Sequence, residues 1–174
     1  MHVCRMQDPF PAIADDLRPD PVQTEGKMLH AETAPLVPLP ANDSGPAELP
    51  MPAAQPFPKL IGLQITEATR ARVRATLQPR SELCRSGNTI HGGAIMSLAD
   101  IVASCGAWLN LPEGAATTTI ESKTNFIGAA KAGEPIFAET TPLHVGKRSS
   151  VWQTHVTRAD GKLVALVIQT QMVI

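Results

Sequence analysis

The sequence predicts an α+β fold in which an antiparallel sheet of five to six strands curls around one long central helix. Three observations predict it. Several stretches in the C-terminal two thirds alternate apolar and polar residues with a period of two, as a strand with one buried face does. One stretch repeats its apolar residues at helical spacing. The turns between the last strands are only a few residues long, which makes neighbouring strands antiparallel, since a parallel pair needs a crossover of about a dozen residues or more.

The first strand is read over 70–79, where Ala71, Val73, Ala75 and Leu77 alternate with Arg70, Arg72, Arg74 and Thr76. Four more are expected at 117–127, 135–145, 149–157 and 163–174, punctuated by Ala132-Gly133, Val145-Gly146-Lys147 and Asp160-Gly161. Asp-Gly is a strong hairpin signal because tight hairpin turns require positive φ. The helix is expected from about Gly92 to Leu109. Ile95, Leu98, Ala99, Val102, Ala103, Gly106 and Leu109 form its apolar stripe, and Asn110 and Pro112 close it. Small residues in the stripe allow strands to approach closely, and one helix can share a core with so many strands only if the sheet wraps it. The outer face of such a sheet is either solvated or covered by a partner.

Residues 1–58 read differently. They hold twelve of the 16 prolines, together with eight acidic and three basic side chains, whereas 59–174 hold eight acidic and twelve basic. The total of −1 is therefore −5 on a leader plus +4 on a body. Fixed φ angles and missing N–H groups make the leader an extended, mostly disordered segment, with Met28 a second candidate start. The body is expected to begin at about Lys59. A weakly basic body suits a small anionic ligand, but there is no Lys/Arg run or base-stacking aromatic pattern, so no nucleic-acid partner is expected. Cys4, Cys84 and Cys105 make an odd count without a C-x-x-C pair, which points to a reducing compartment rather than a disulfide framework or zinc ribbon. The first thirty residues lack a basic start followed by an apolar stretch, and no apolar run approaches about 20 residues. A cytoplasmic protein without a membrane partner is expected.

The densest cluster of chemically useful residues is 88–100, NTIHGGAIMSLAD. Two glycines at a helix start let backbone approach a ligand, and the unpaired N–H groups there can hold an oxyanion. His91 beside them could orient a carbonyl or merely cap the helix. Asp100 lies at the edge of the apolar stripe, where a carboxylate costs helix propensity and some desolvation; it either has a task or sits on a solvated face. Nine residues of helix span about 13.5 Å, so His91 and Asp100 of one chain cannot meet at one reacting atom. If both are catalytic, the site joins Gly92 and His91 of one subunit to Asp100 of another.

These residues carry a resemblance. HGGAIMSLAD, the downstream TTTIESKTNF and the stretch PLHVGKRSSVWQ resemble, in that order, hotdog-fold acyl-CoA thioesterases of the phenylacetate-degradation type, over roughly 56–174. The resemblance implies hydrolysis of an acyl-CoA substrate without a cofactor or metal, by a homo-oligomer built as a dimer of dimers. It implies that Asp100 is general base or nucleophile toward the thioester carbonyl, that the Gly92 N–H polarises that carbonyl, and that His91 helps to place it. It implies a hydroxyl at Thr119 that orients the hydrolytic water, and Gly93, Lys147 and Arg148 as contacts to coenzyme A. Relatives often carry a polar amide six residues before the histidine; here that position is Arg85, with Asn88 closer but out of register.

Rival readings remain. An acyl-thioester dehydratase would call for a Gly/Pro-rich loop after the histidine, and HGGAIMSLAD contains no proline. A non-catalytic acyl-CoA sensor on the same fold would be expected to bring a DNA-binding module, which the acidic leader does not suggest. A purely structural oligomer leaves the Gly-Gly pair and the stripe-edge aspartate unexplained. Cys105 reads as a small buried hydrophobe, and His144 and His155 lack metal-ligand spacing.

Overall fold

The structure is a computed structural model that describes residues 50–174. The leader predicted at 1–58 lies outside the described residues as far as residue 49. Its end is helical: α1 (Met51–Ala54) and α2 (Pro56–Ile61) flank an extended Gln55, and each carries a proline in its first turn. The sequence reading treated proline as a bar to helix. At the first helical positions the missing N–H would have no partner anyway, and φ is already set, so there proline starts a helix instead. α2 closes at Gly62, whose φ of +80° suits glycine. Ala53 and Ile61 join the main core, so ordered packing begins ahead of Lys59.

Among the described residues, six strands form the main sheet. They are β1 (Leu63–Ala68), β2 (Val73–Leu77), β5 (Thr117–Phe126), β6 (Ile136–Val145), β7 (Ser149–Arg158) and β8 (Leu163–Val173), in the order β1-β2-β6-β7-β8-β5 with every neighbour antiparallel. Two short strands, β3 (Cys84–Arg85) and β4 (Thr89–Ile90), make a separate hairpin. The long helix α3 (Gly92–Leu109) packs against all six strands, so the sheet does curl around it. β1 escaped the sequence reading because Thr66 is an extra residue, opposite no partner between Ile65 and Glu67, and this breaks the alternation. The strand read from Arg70 starts at Val73, after a turn in which Thr69 Oγ1 bonds the Arg72 backbone.

The stripe on α3 is wider than the period alone suggested, since Ile101, Cys105 and Ala107 are buried as well. The helix is long and apolar enough to cross a membrane by composition, but its apolar stripe is covered by the sheet and by α1, while Met96 is exposed. Its small residues set the distance to the sheet: Gly106 faces the ring of the fully buried Trp152 on β7 so closely that a Cβ would lie 2.6 Å from Cζ3. Trp152 in turn donates its Nε1–H to Ser150 Oγ at 2.8 Å, so its one polar group is satisfied inside the core.

β5 is an edge strand, bonded to β8 on one side only. Ile120 is an extra residue between Thr119, opposite Gln171, and Glu121, opposite Thr170. This bulge turns Ile120 and Glu121 both outward, and it resets the strand so that Thr117 and Thr119 before it and Ser122 and Thr124 after it are the residues withdrawn from solvent.

Candidate functional site

α3 begins where the sequence reading placed it, and its start is built by His91. His91 is the N-cap, in extended conformation, and its Nδ1 accepts the Gly93 N–H at 3.0 Å while its carbonyl accepts from Ala94 and Ile95. Of the first N–H groups of the helix, that of Gly92 alone is left without an acceptor among the described residues. It is an unpaired donor at the positive end of an 18-residue helix. Gly92 also has no room for a side chain, since a Cβ would stand 3.0 Å from Cζ of Phe126. In front of it lies a hollow of about 320 Å³ whose walls include Arg85, Thr89, Ile95 and Phe126.

Asp100 lies two turns further along α3, half-buried, and is not part of that hollow. The sheet holds the two apart as the helix does: Gly92 is level with Phe126 at the end of β5, and Asp100 is level with Thr119 near its start. His91 and Gly92 do not meet Asp100 within one chain.

Asp100 is instead surrounded by a polar cluster from β5 and β8. Thr119 Oγ1 donates to Asp100 Oδ1 at 2.8 Å, and Gln169 Nε2 donates to the same oxygen at 2.7 Å. Oδ2 meets no donor among the described residues. Gln169 Nε2 also reaches Thr119 Oγ1 at 3.2 Å, and Gln171 Nε2 reaches it at 2.8 Å. The single proton of Thr119 thus goes to Asp100, and its lone pairs are met by two amides. The resemblance makes Thr119 the water-orienting hydroxyl; in the structure that hydroxyl is bonded to the Asp100 carboxylate.

Gln171 continues inward, donating to Ser104 Oγ at 3.0 Å and accepting from Thr117 Oγ1 at 3.1 Å. The spacing explains the fit. Two residues along a strand advance about 6.7 Å and one helical turn from Asp100 to Ser104 about 6 Å, so alternate residues of β8 reach successive turns of α3.

Gln169 and Gln171 were missed in the sequence. The signal was present, because LVALVIQTQMVI places two amides at alternate positions of a strand whose inward residues are otherwise Ala165 and Val167. The other expected residues scatter. Gly93 gives its N–H to His91 and has none left for a ligand. Lys147 and Arg148 stand exposed in the β6–β7 turn, free of ion pairs among the described residues, at the end of the sheet where Ser150 pairs with Gln171. Arg85, on β3, is exposed at the rim beside Gly92, and Asn88 turns the β3–β4 hairpin with a φ of +59°. Cys105 is fully buried, and burial pushes its thiol up to about 12.

A family model described as the thioesterase superfamily matches residues 87–165, a span that opens just before the helix cap and runs through Asp100 and Thr119 into β8. The Mycobacterium tuberculosis (strain ATCC 25618 / H37Rv) protein Rv1847, which bears an esterase name, is 32% identical over 119 residues, covering 67% of this chain and 84% of its own. An Arabidopsis thaliana protein named 1,4-dihydroxy-2-naphthoyl-CoA thioesterase 2 is 29% identical over 102 residues, 58% of this chain and 64% of its own. Among solved structures, the Haemophilus influenzae thioesterase HI1161 shares the fold with a TM-score of 0.68 at 22% identity, over 74% of this chain and 92% of that one. The helix, the sheet wrapped around it and these likenesses agree: the chain belongs to the thioesterase superfamily and has its hotdog fold.

Proposed function

We propose that the protein hydrolyses acyl-CoA thioesters to free acid and CoA at sites shared between two subunits, in the manner of the phenylacetate-degradation type. The observation that carries this reading is Asp100, a carboxylate with one oxygen bonded by two donors and the other left open, on a helix whose far end presents an unpaired N–H. Asp100 takes a proton from water as the water oxygen bonds to the thioester carbonyl carbon, or attacks that carbon itself to form an anhydride that water then opens. In either course the carbon–sulfur bond breaks and the proton passes to the CoA thiolate. The Gly92 N–H of the partner subunit meets the oxyanion at the positive end of α3, and the His91 cap holds that N–H in place.

The separation of Gly92 and Asp100 within one chain supports a shared site. So does the surface: β5 leaves a ten-residue strand unpaired on one side, and long unpaired edges are normally covered. Phe137, Leu143, Val145 and Met172 are large exposed apolar residues elsewhere on the sheet, which suits a second contact and a dimer of dimers. Lys147 and Arg148 supply cations for the CoA phosphates, and the two glycines allow the ligand close approach. The CoA thioesterase name of the Arabidopsis relative favours the same substrate class. A cytoplasmic location suits the free thiols of Cys84 and Cys105 and an acyl-CoA substrate.

The test is a panel of acyl-CoA esters from acetyl through palmitoyl, with phenylacetyl and benzoyl, read by release of free thiol. A graded profile that Asp100→Asn lowers by about two to four powers of ten, with folding retained, is expected. Hydrolysis at the native rate by Asp100→Asn would remove the assignment.

A further inference from the structure

We propose that Gln169 is a positioning residue that fixes the direction in which Asp100 presents its free oxygen. The inference rests on Asp100 being the base or nucleophile.

Gln169 is fully buried, at 0% exposure, on β8, where the inward residues that precede it, Ala165 and Val167, are aliphatic. An amide in such a place is costly unless both of its ends are bonded, and here one is not, since Oε1 has no partner among the described residues. Gln171, two residues on, is the contrast within the same strand: its Nε2 bonds Thr119 and Ser104, and its Oε1 accepts from Thr117. Gln171 is a satisfied core amide. Stability alone would favour an aliphatic side chain at 169, yet an amide stands there with its oxygen unbonded.

What the amide does is reach the carboxylate. Its Nε2 lies 2.7 Å from Asp100 Oδ1 and 3.2 Å from Thr119 Oγ1. Chemistry fixes the amide orientation, because the reverse would press Oε1 against a carboxylate oxygen. Thr119 adds a second donor to Oδ1 at 2.8 Å. Two donors from two different strands converge on one oxygen, so the carboxylate cannot turn about its side-chain torsion without breaking both bonds, and Oδ2 is held in a single direction. A reacting group held in the productive geometry is worth much more than the same group free to rotate.

The experiment compares Gln169→Met, which keeps length without the amide, with Gln169→Leu, Gln171→Met and Asp100→Asn. Each is measured for kcat and KM on the fastest-cleaved ester of the acyl-CoA panel and for thermal midpoint. The expected result for Gln169→Met and Gln169→Leu is kcat down about 10–100-fold, KM within about twofold and a midpoint unchanged or raised, while Gln171→Met loses midpoint. In an Asp100→Asn background, Gln169→Met is expected to lower turnover no further. Native kcat in both Gln169 variants beside an inactive Asp100→Asn would overturn this inference alone. The same holds if kcat falls only in step with the midpoint or with a rise in KM, since Gln169 would then be structural. Native turnover by Asp100→Asn would overturn the reading of Asp100 and this inference with it.

Discussion

His91 and Gly93 are bonded to each other across the first turn of α3, the ring Nδ1 taking the backbone N–H at 3.0 Å. One side chain thereby closes one of the two glycine donors and leaves the other, on Gly92, open. The glycine pair is not a symmetrical anion cradle, and the histidine decides which of its two N–H groups stays open.

That bond makes His91 a helix cap, whatever else it touches. His91→Ala is expected to cost about 1 kcal/mol of stability, and His91→Asn, whose side-chain oxygen can accept the same N–H, is expected to restore most of it. Denaturant melts of the three proteins check this. Equal stability of the wild type and His91→Ala would mean that the cap contributes nothing.

Gly92→Ala keeps the N–H but puts a methyl group 3.0 Å from the Phe126 ring. Phe126 is half exposed and can shift, so stability should change by less than about 1 kcal/mol. The hollow in front of the N–H should narrow, and kcat/KM for acyl-CoA hydrolysis should fall at least about tenfold.

Gly106→Ala separates two opposed effects. Helix propensity alone favours alanine by about 1 kcal/mol. The Trp152 ring 2.6 Å from the new Cβ opposes it, in a place where both partners are buried. Net destabilisation of about 1–3 kcal/mol is expected from overpacking, measured by urea denaturation. A stabilised variant would show that the helix and β7 can move apart freely.

Cys105 ties stability to alkaline pH. Burial holds its thiol protonated up to about 12 against an ordinary value of 9.0. Its contribution is fully present below pH 9 and is lost as pH rises toward 12, because the unfolded chain releases that proton first. At pH 10.5, about 1.5 pH units above the ordinary value, the loss is about 2 kcal/mol. Cys105→Ala should lack that part of the alkaline decline when the two melts are compared between pH 8 and 10.5.

A shared site has a signature that no single variant gives. Gly92→Val and Asp100→Asn proteins, each inactive, are expected to regain about a quarter of native activity when unfolded together and refolded as a mixture, because a mixed pair holds one site with both groups intact. No recovery in pairs shown to be mixed would place the whole site within one subunit.

The elements that the sequence made legible are those long enough for the period to show even where a bulge interrupts it. α3 matches its expected limits at both ends, and β5 to β8 fall within a residue or two of theirs, since the alternation there runs for ten residues or so. β1 was hidden by the extra residue at Thr66, and the proline helices by the special tolerance of a first turn. In the site, Gly92 and Asp100 stood out because a local motif holds them. Gln169 contacts Asp100 across 69 residues of chain, and a contact between a helix and a strand so distant has no period to announce it. Only the strangeness of an amide in an aliphatic strand could have pointed there.

The bulge at Ile120 places an unusual demand on the chain. Were the same residues to run on in plain alternation from Thr119, without the bulge, Glu121 and Lys123 rather than Ser122 and Thr124 would be turned onto the face toward α3. The polar cluster around Asp100 makes no bond to the side chain at 120. It depends instead on Ile120 and Glu121 facing outward together, so a break in the alternation, rather than any one side chain, keeps the two halves of the strand in step.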